Sequence, residues 1–256
     1  MSGMLLRDLD RRLRSMLAID AMQGDDPSMN GLQVQRRAEE ITRVGLAVDA
    51  CAESFRRAAD ESCDMLFVHH GIFWGRESAI AGTHYERIRL LFEHDLALYA
   101  AHLPLDLHPR LGNNARMAAA LGLEQARPFG SYHGTAIGVA GRLAEPARLD
   151  DICTTLFGGP EHALSVLPLG PQRIESVAVV SGGAPRLVSE AIAKDIDLYI
   201  TGDASHTIYH EALEAGINVI FGGHYQTEVW GVRAVGEYLA DELGLETTFI
   251  DVPTGL

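Results

Sequence analysis

The sequence predicts an α/β protein with mostly parallel sheets flanked by helices, and three observations carry that reading. Short apolar runs alternate with helix-spaced amphipathic segments along most of the 256 residues, the pattern of strands joined by crossover helices. The hydrophobic content of 47% supports a large core, as one big domain or two small ones. Residues of metal-ligand type follow three of the apolar runs directly, and ligands of open α/β sheets gather at the carboxyl ends of strands.

Residues 4–18 place leucines and Met16 at helical spacing with arginines and aspartates between them, an amphipathic helix. Residues 24–30 (GDDPSMN) are turn chemistry leading into Gly31-Leu32-Gln33-Val34. Strands are expected over 41–48, 65–68 and 96–101, and helices over 51–61, 85–94 and 113–121. Texture changes near Pro128: the glycine-rich, alternating stretch 131–143 reads as a hairpin or edge strand. Beyond it come a helix at 148–157, strands at 176–180, 198–200 and 219–221, and a helix at 205–215. A long helix then runs to Leu243, with a last strand at 246–250. These shifts divide the chain into a first domain, 1–125 with 226–256 returning to it, and a second, 126–225.

Composition excludes several function classes. A net charge of -14 argues against general nucleic-acid binding, which needs basic patches. No apolar run approaches the roughly 20 residues of a membrane span. The Arg/Asp-rich N-terminus is unlike a signal peptide. Cys51, Cys63 and Cys153 match no zinc or disulfide spacing, so a reducing, cytoplasmic setting is expected. Lys194 is the sole lysine, which removes a Walker A loop.

The eleven histidines hold the chemical signal. His69 and His70 end the 65–68 run; on an ideal strand they would face opposite ways, but Gly71 lets the chain swing away. His102 and Asp106 follow the 96–101 run; with Pro104 between them an extended loop is expected. His224 and Glu228, four apart, share a helix face. Each piece alone has an ordinary structural reading, as a core imidazole, a turn cap or a first helical turn. Together they supply mixed nitrogen and oxygen donors without a thiolate, which suits Zn, Fe, Mn, Co or Ni. Five ligands divide well over two ions, and such a pair can activate water and polarise a carbonyl or phosphoryl group.

Weaker signals are Asp203 and His206, which line the same pocket or cap a helix, and the 181–184 turn (SGGA), a tight turn more than a phosphate cradle. Trp74 and Trp230 are expected in core or interface packing, with base stacking by Trp74 the minority alternative. Cys51 and Cys63 are expected to be buried.

The motifs NGLQV at 30–34, HH at 69–70 with Phe73-Trp74, Ala101-His102 through Leu105-Asp106, ITGD at 200–203 and GGHYQTE at 222–228 resemble, in order, the Nif-three-like dinuclear metal-centre proteins. These are also known as GTP cyclohydrolase type 2 homologues. The resemblance implies a Nif-three-like fold of two interlinked α/β domains without a mid-chain insertion. It places His69, His70, Asp106, His224 and Glu228 on the ligands of two divalent ions and His102 near them, where His102 or a metal-bound water is expected to shuttle protons. A homohexamer and a metal-dependent hydrolase acting on a small nucleotide-like substrate are implied too. A non-catalytic metal-binding or scaffold protein uses the same ligands.

Overall fold

A computed structural model describes residues 3–22, 26–76 and 78–256, so Gly24 and Asp25 of the expected turn and the first two residues of the N-terminal stretch lie outside it. The chain divides into two compact units, residues 1–108 with 231–252, and residues 109–230 with 253–256. These divisions differ from the 125/126 and 225/226 boundaries that the sequence texture suggests. The helix at 113–120 falls in the second unit because Met117 belongs to that unit's core.

In the first unit, β1 (Met4–Leu5) leads into α1 (Leu6–Met16), followed by β2 (Gly31–Val34), β3 (Glu40–Ile41) and β4 (Arg43–Asp49). Then come α2 (Ala52–Asp60), β5 (Met65–His70), α3 (Gly82–Glu93), β6 (Ala97–Ala100) and the single turn α4 (Leu103–Asp106). The second unit holds α5 (Asn113–Ala120), β7 (Leu123–Tyr132), β8 (Thr135–Ala147), α6 (Leu149–Phe157) and β9 (Ser165–Leu167). It continues with β10 (Ile174–Val180), α7 (Val188–Ala193), β11 (Leu198–Thr201), α8 (Tyr209–Ala215) and β12 (Asn218–Phe221). Helix α9 (His224–Leu243) begins in the second unit and ends in the first, where β13 (Glu246–Phe249) closes the set.

The first unit's main sheet has the order β13-β4-β5-β6-β2, parallel except for β2. Its central strand is β5, and Met65 through Val68 are fully buried, as an apolar run covered on both faces requires. The second sheet, β7-β8-β10-β11-β12-β9, has the parallel strands β10, β11 and β12 at its heart. The glycine-rich stretch is the β7–β8 hairpin. Among the described residues no helix is long and apolar enough to cross a membrane.

The extended loop expected around Pro104 is instead the turn α4, with the proline in its first positions. A first-turn N–H has no intrahelical acceptor, so proline forfeits nothing there. Cys63 and Cys153 are buried, and burial pushes their thiols up to about 12 and about 11. Cys51 is half-buried rather than buried, because it sits at the N-cap of α2.

Both units use an aspartate at the start of a central strand as a staple. Asp64 accepts the N–H groups of Thr42 (2.7 Å) and Arg43 (2.9 Å) and pairs with Arg36. Asp197 accepts those of Glu175 and Ser176, each at 2.9 Å. Burial alone would push the Asp64 carboxyl up, but its donors outweigh this and hold it below the usual carboxylate value. Asp64→Ala is expected to cost about 2 kcal/mol at neutral pH, read as a lower urea midpoint. The bonded form is the carboxylate, so its contribution is complete above the unfolded-state pKa of about 3.9 and is lost as pH falls through the lower folded value. The gap between wild type and variant should therefore close in strong acid.

Candidate metal centre

In the first unit the chemistry sits at the carboxyl ends of β4, β5 and β6. Asp49 and His70 are register partners on adjacent parallel strands, and His70 Nδ1 lies 2.8 Å from Asp49 Oδ1. His69, fully buried, places Nδ1 3.0 Å from the Ala101 carbonyl. His102 places Nδ1 2.9 Å from Asp26 Oδ1. The His69 and His70 rings are 4.7 Å apart, and the His102 ring is 5.1 and 5.6 Å from them. The strand end thus brings the adjacent histidines together. One ligand atom from each of His69, His70 and His102 lies within 4.8 Å of the others. Asp106, on α4, brings Oδ2 to 3.5 Å from His69 Nε2. Trp74 is 37% exposed, its ring T-shaped to that of His102 at 5.2 Å and its indole N–H donated to the Gly71 carbonyl. It therefore borders the histidines rather than the core, whereas Trp230 packs against the second unit's core.

Asp26 is held as firmly as the ring it holds. It accepts from the Ser28 and Leu103 N–H groups and the Asn30 amide, each at 2.9 Å. Burial works to raise this carboxyl, but His102 and these donors bring it below its ordinary value.

The second unit repeats the device. Asp203 follows β11, His224 opens α9 after β12, and His224 Nδ1 lies 2.8 Å from Asp203 Oδ1. The sequence separation is 21 residues in this pair and in Asp49–His70 alike. Glu228, one helical turn on and buried, sets Oε1 3.3 Å from His224 Nε2. The Glu228 hydrogen bond, against the opposing effect of burial, and then Asp203 raise His224 to about 9.

The 181–184 segment is the tight turn, and it makes room for Glu228. The Gly182 carbonyl accepts from Ala184, Gly202 and Asp203 at 3.2, 2.9 and 3.1 Å. Its φ is +65°, and a Cβ there would meet Glu228 Oε1 at 2.3 Å. Asp203 is thus an orienting residue rather than a plain cap, while His206 only starts a 3₁₀ turn.

The donors fit a divalent ion. Carboxylate and carbonyl oxygens only accept from an imidazole, so each Nδ1 carries a proton, and Nε2 is the nitrogen left to bind a metal once any second proton, as on His224, is shed. Two ligands of a tetrahedral zinc-like ion stand about 3.3 Å apart, given metal–ligand bonds of about 2.0–2.1 Å. His69 with Asp106, at 3.5 Å, and His224 with Glu228, at 3.3 Å, each match that spacing. The orienting residues Asp26, Asp49 and Asp203 carried no assigned metal role in the sequence. Of these, Asp49 had a visible cue, since it ends a strand 21 residues before a histidine.

Parallel strands whose carboxyl ends present oriented imidazoles and carboxylates define an α/β protein with groups that could hold metal ions. The chain belongs to the family described as Duf34/NIF3 (NGG1p interacting factor 3), which it matches over residues 4–255. Similar curated proteins include the GTP cyclohydrolase 1 type 2 homologs of Treponema pallidum and Archaeoglobus fulgidus. They are 43% and 44% identical, with 99% of this chain and 100% of each relative covered. Among solved structures, TTHA1606 from Thermus thermophilus superposes with a TM-score of 0.89 at 38% identity, covering 99% of this chain and 100% of that one.

Asp49→Asn and Asp203→Asn should each lower metal affinity about 10–100-fold by competition titration while leaving the fold intact. Gly182→Ala should displace the Glu228 carboxylate and weaken metal binding as well. Because metal must displace the His224 proton, affinity should tighten and proton release should fall as pH rises toward about 9.

Proposed function

We propose that this chain is a dinuclear divalent-metal protein that hydrolyses a small nucleotide-like substrate. The ligands would be His69, His70 and Asp106 of the first unit and His224 and Glu228 of the second. The observation that carries this reading is the shared orientation of four imidazoles, His69, His70, His102 and His224, each held through Nδ1 by an oxygen. Structural histidines need only satisfied nitrogens. Rings held alike through Nδ1, two of them with Nε2 beside the carboxylates of Asp106 and Glu228, fit ligand duty.

Bound divalent ions would supply Lewis acidity toward a carbonyl or phosphoryl group. His102, oriented by Asp26 and beside both neighbouring rings, would hold or move a proton at Nε2. The exposed Trp74 face offers a stacking surface for a heterocycle. The relatives' name, GTP cyclohydrolase 1 type 2 homolog, supports a nucleotide as the first substrate to try. A cytoplasmic homohexamer is the assembly proposed, on the strength of the resemblance.

The test is metal content per subunit in protein made without a histidine tag. About two equivalents are expected, falling to one or fewer in Glu228→Ala. His102→Gln should keep the metal and lose about 10²–10⁴-fold in metal-dependent GTP turnover. Content unchanged by Glu228→Ala sinks the dinuclear centre. Two equivalents without turnover of any nucleotide would leave a metal-binding protein that is not a hydrolase.

A further inference from the structure

In the second unit a buried hydroxyl lies between the two candidate ligands of α9. Thr227 follows His224 by three residues, directly precedes Glu228 and is fully buried. Its Oγ1 lies 3.0 Å from the Gly223 carbonyl and 3.0 Å from the His224 carbonyl. A helical threonine ordinarily makes such contacts to the preceding turn, and they account for its one proton. Its lone pairs are left over, and the Gly182 N–H, 45 residues earlier, is donated to one of them at 3.0 Å. That bond does not serve the helix. It ties α9 to the 181–184 turn.

The Gly182 peptide is gripped at its other end as well. Its carbonyl accepts from the Thr201 hydroxyl at 3.1 Å, in addition to the Gly202 and Asp203 N–H groups. The contacts therefore close on themselves. Thr227 holds the Gly182 N–H, the Gly182 carbonyl holds the Asp203 N–H, and the Asp203 carboxylate holds His224 Nδ1. His224 and Thr227 then share the first turn of α9. Gly202 lets the circuit shut this tightly, since a Cβ there would meet the Gly182 carbonyl at 2.7 Å and Thr227 Oγ1 at 2.8 Å. In a closed circuit no member shifts alone. Opened at Thr227, it would let α9 turn against the Asp203 segment that holds the His224 ring. Glu228, whose Oε1 packs against Gly182, would move with the helix.

We propose that Thr227 is a positioning residue for the metal centre, its hydroxyl locking the helix that carries His224 and Glu228 to the turn beside them. The inference rests on the ligand roles of His224 and Glu228 proposed above.

The probe is Co²⁺, titrated into the full-length metal-free protein and followed by its visible absorption. Exchange of the Gly182 amide hydrogen is followed by NMR in the same metal-free protein. Thr227→Val keeps the shape of the side chain and removes the hydroxyl. It should lower cobalt affinity about 10–100-fold, the scale for groups that orient ligands, change the cobalt spectrum and speed Gly182 exchange. Thr227→Ser, which keeps the hydroxyl, should restore all three. Ser176→Ala, at the far end of β10, removes the buried acceptor of the Asp197 N–H (2.9 Å). It should lower the unfolding midpoint and leave cobalt affinity unchanged.

Cobalt binding by Thr227→Val equal to wild type overturns the role, and so does a Thr227→Ser variant as weak as Thr227→Val. An equal loss in Ser176→Ala also overturns it, because the effect would then be one of general stability. If neither Thr227→Val nor Thr227→Ala folds, the hydroxyl serves the fold and the positioning role falls. A wild type that binds no cobalt sinks the ligand assignment itself, and the role of Thr227 with it.

Discussion

In each unit the candidate ligands depend on one repeated interaction, an oxygen holding the Nδ1 of an imidazole. Asp49 does this for His70, Asp203 for His224, Asp26 for His102, and the Ala101 carbonyl for His69. A desolvated imidazole with one nitrogen satisfied has a defined tautomer and a defined aim. Without these oxygens the rings could rotate, and the spacings to Asp106 and Glu228 would not persist.

The two units arrive at this arrangement by the same route. Each has a run of parallel strands, four in the first unit and three in the second, an aspartate stapling the start of an inner one, and an Asp–His pair bridging neighbouring strand ends. Parallel strands bring all their carboxyl ends to one edge, so residues far apart in sequence become neighbours there. No repeat is evident in the sequence, because loop lengths and core side chains differ while the plan is kept. Gly182 shows how tightly the second unit is drawn, since no side chain fits beside Glu228.

Asp26 ties the loop before β2 to the segment after β6, since its carboxylate holds both the His102 ring and the Leu103 N–H. Trp74, from the segment after β5, meets the same His102 ring at 5.2 Å.

The sequence alone determined the α/β class, the long central strands, most helices and the ligand-type residues, because apolar runs and helical spacing are local properties; the short strands β1, β2, β3 and β9 gave no such signal. It also placed those residues at strand ends. It misleads at 102–106, where the helix-breaking tendency of Pro104 outweighs its tolerance in a first turn. Only the tertiary structure decided which oxygens orient which rings, and that Gly182 yields space to Glu228. Those facts belong to partners 21 to 76 residues apart, related through strand register and turn closure, which no local pattern encodes.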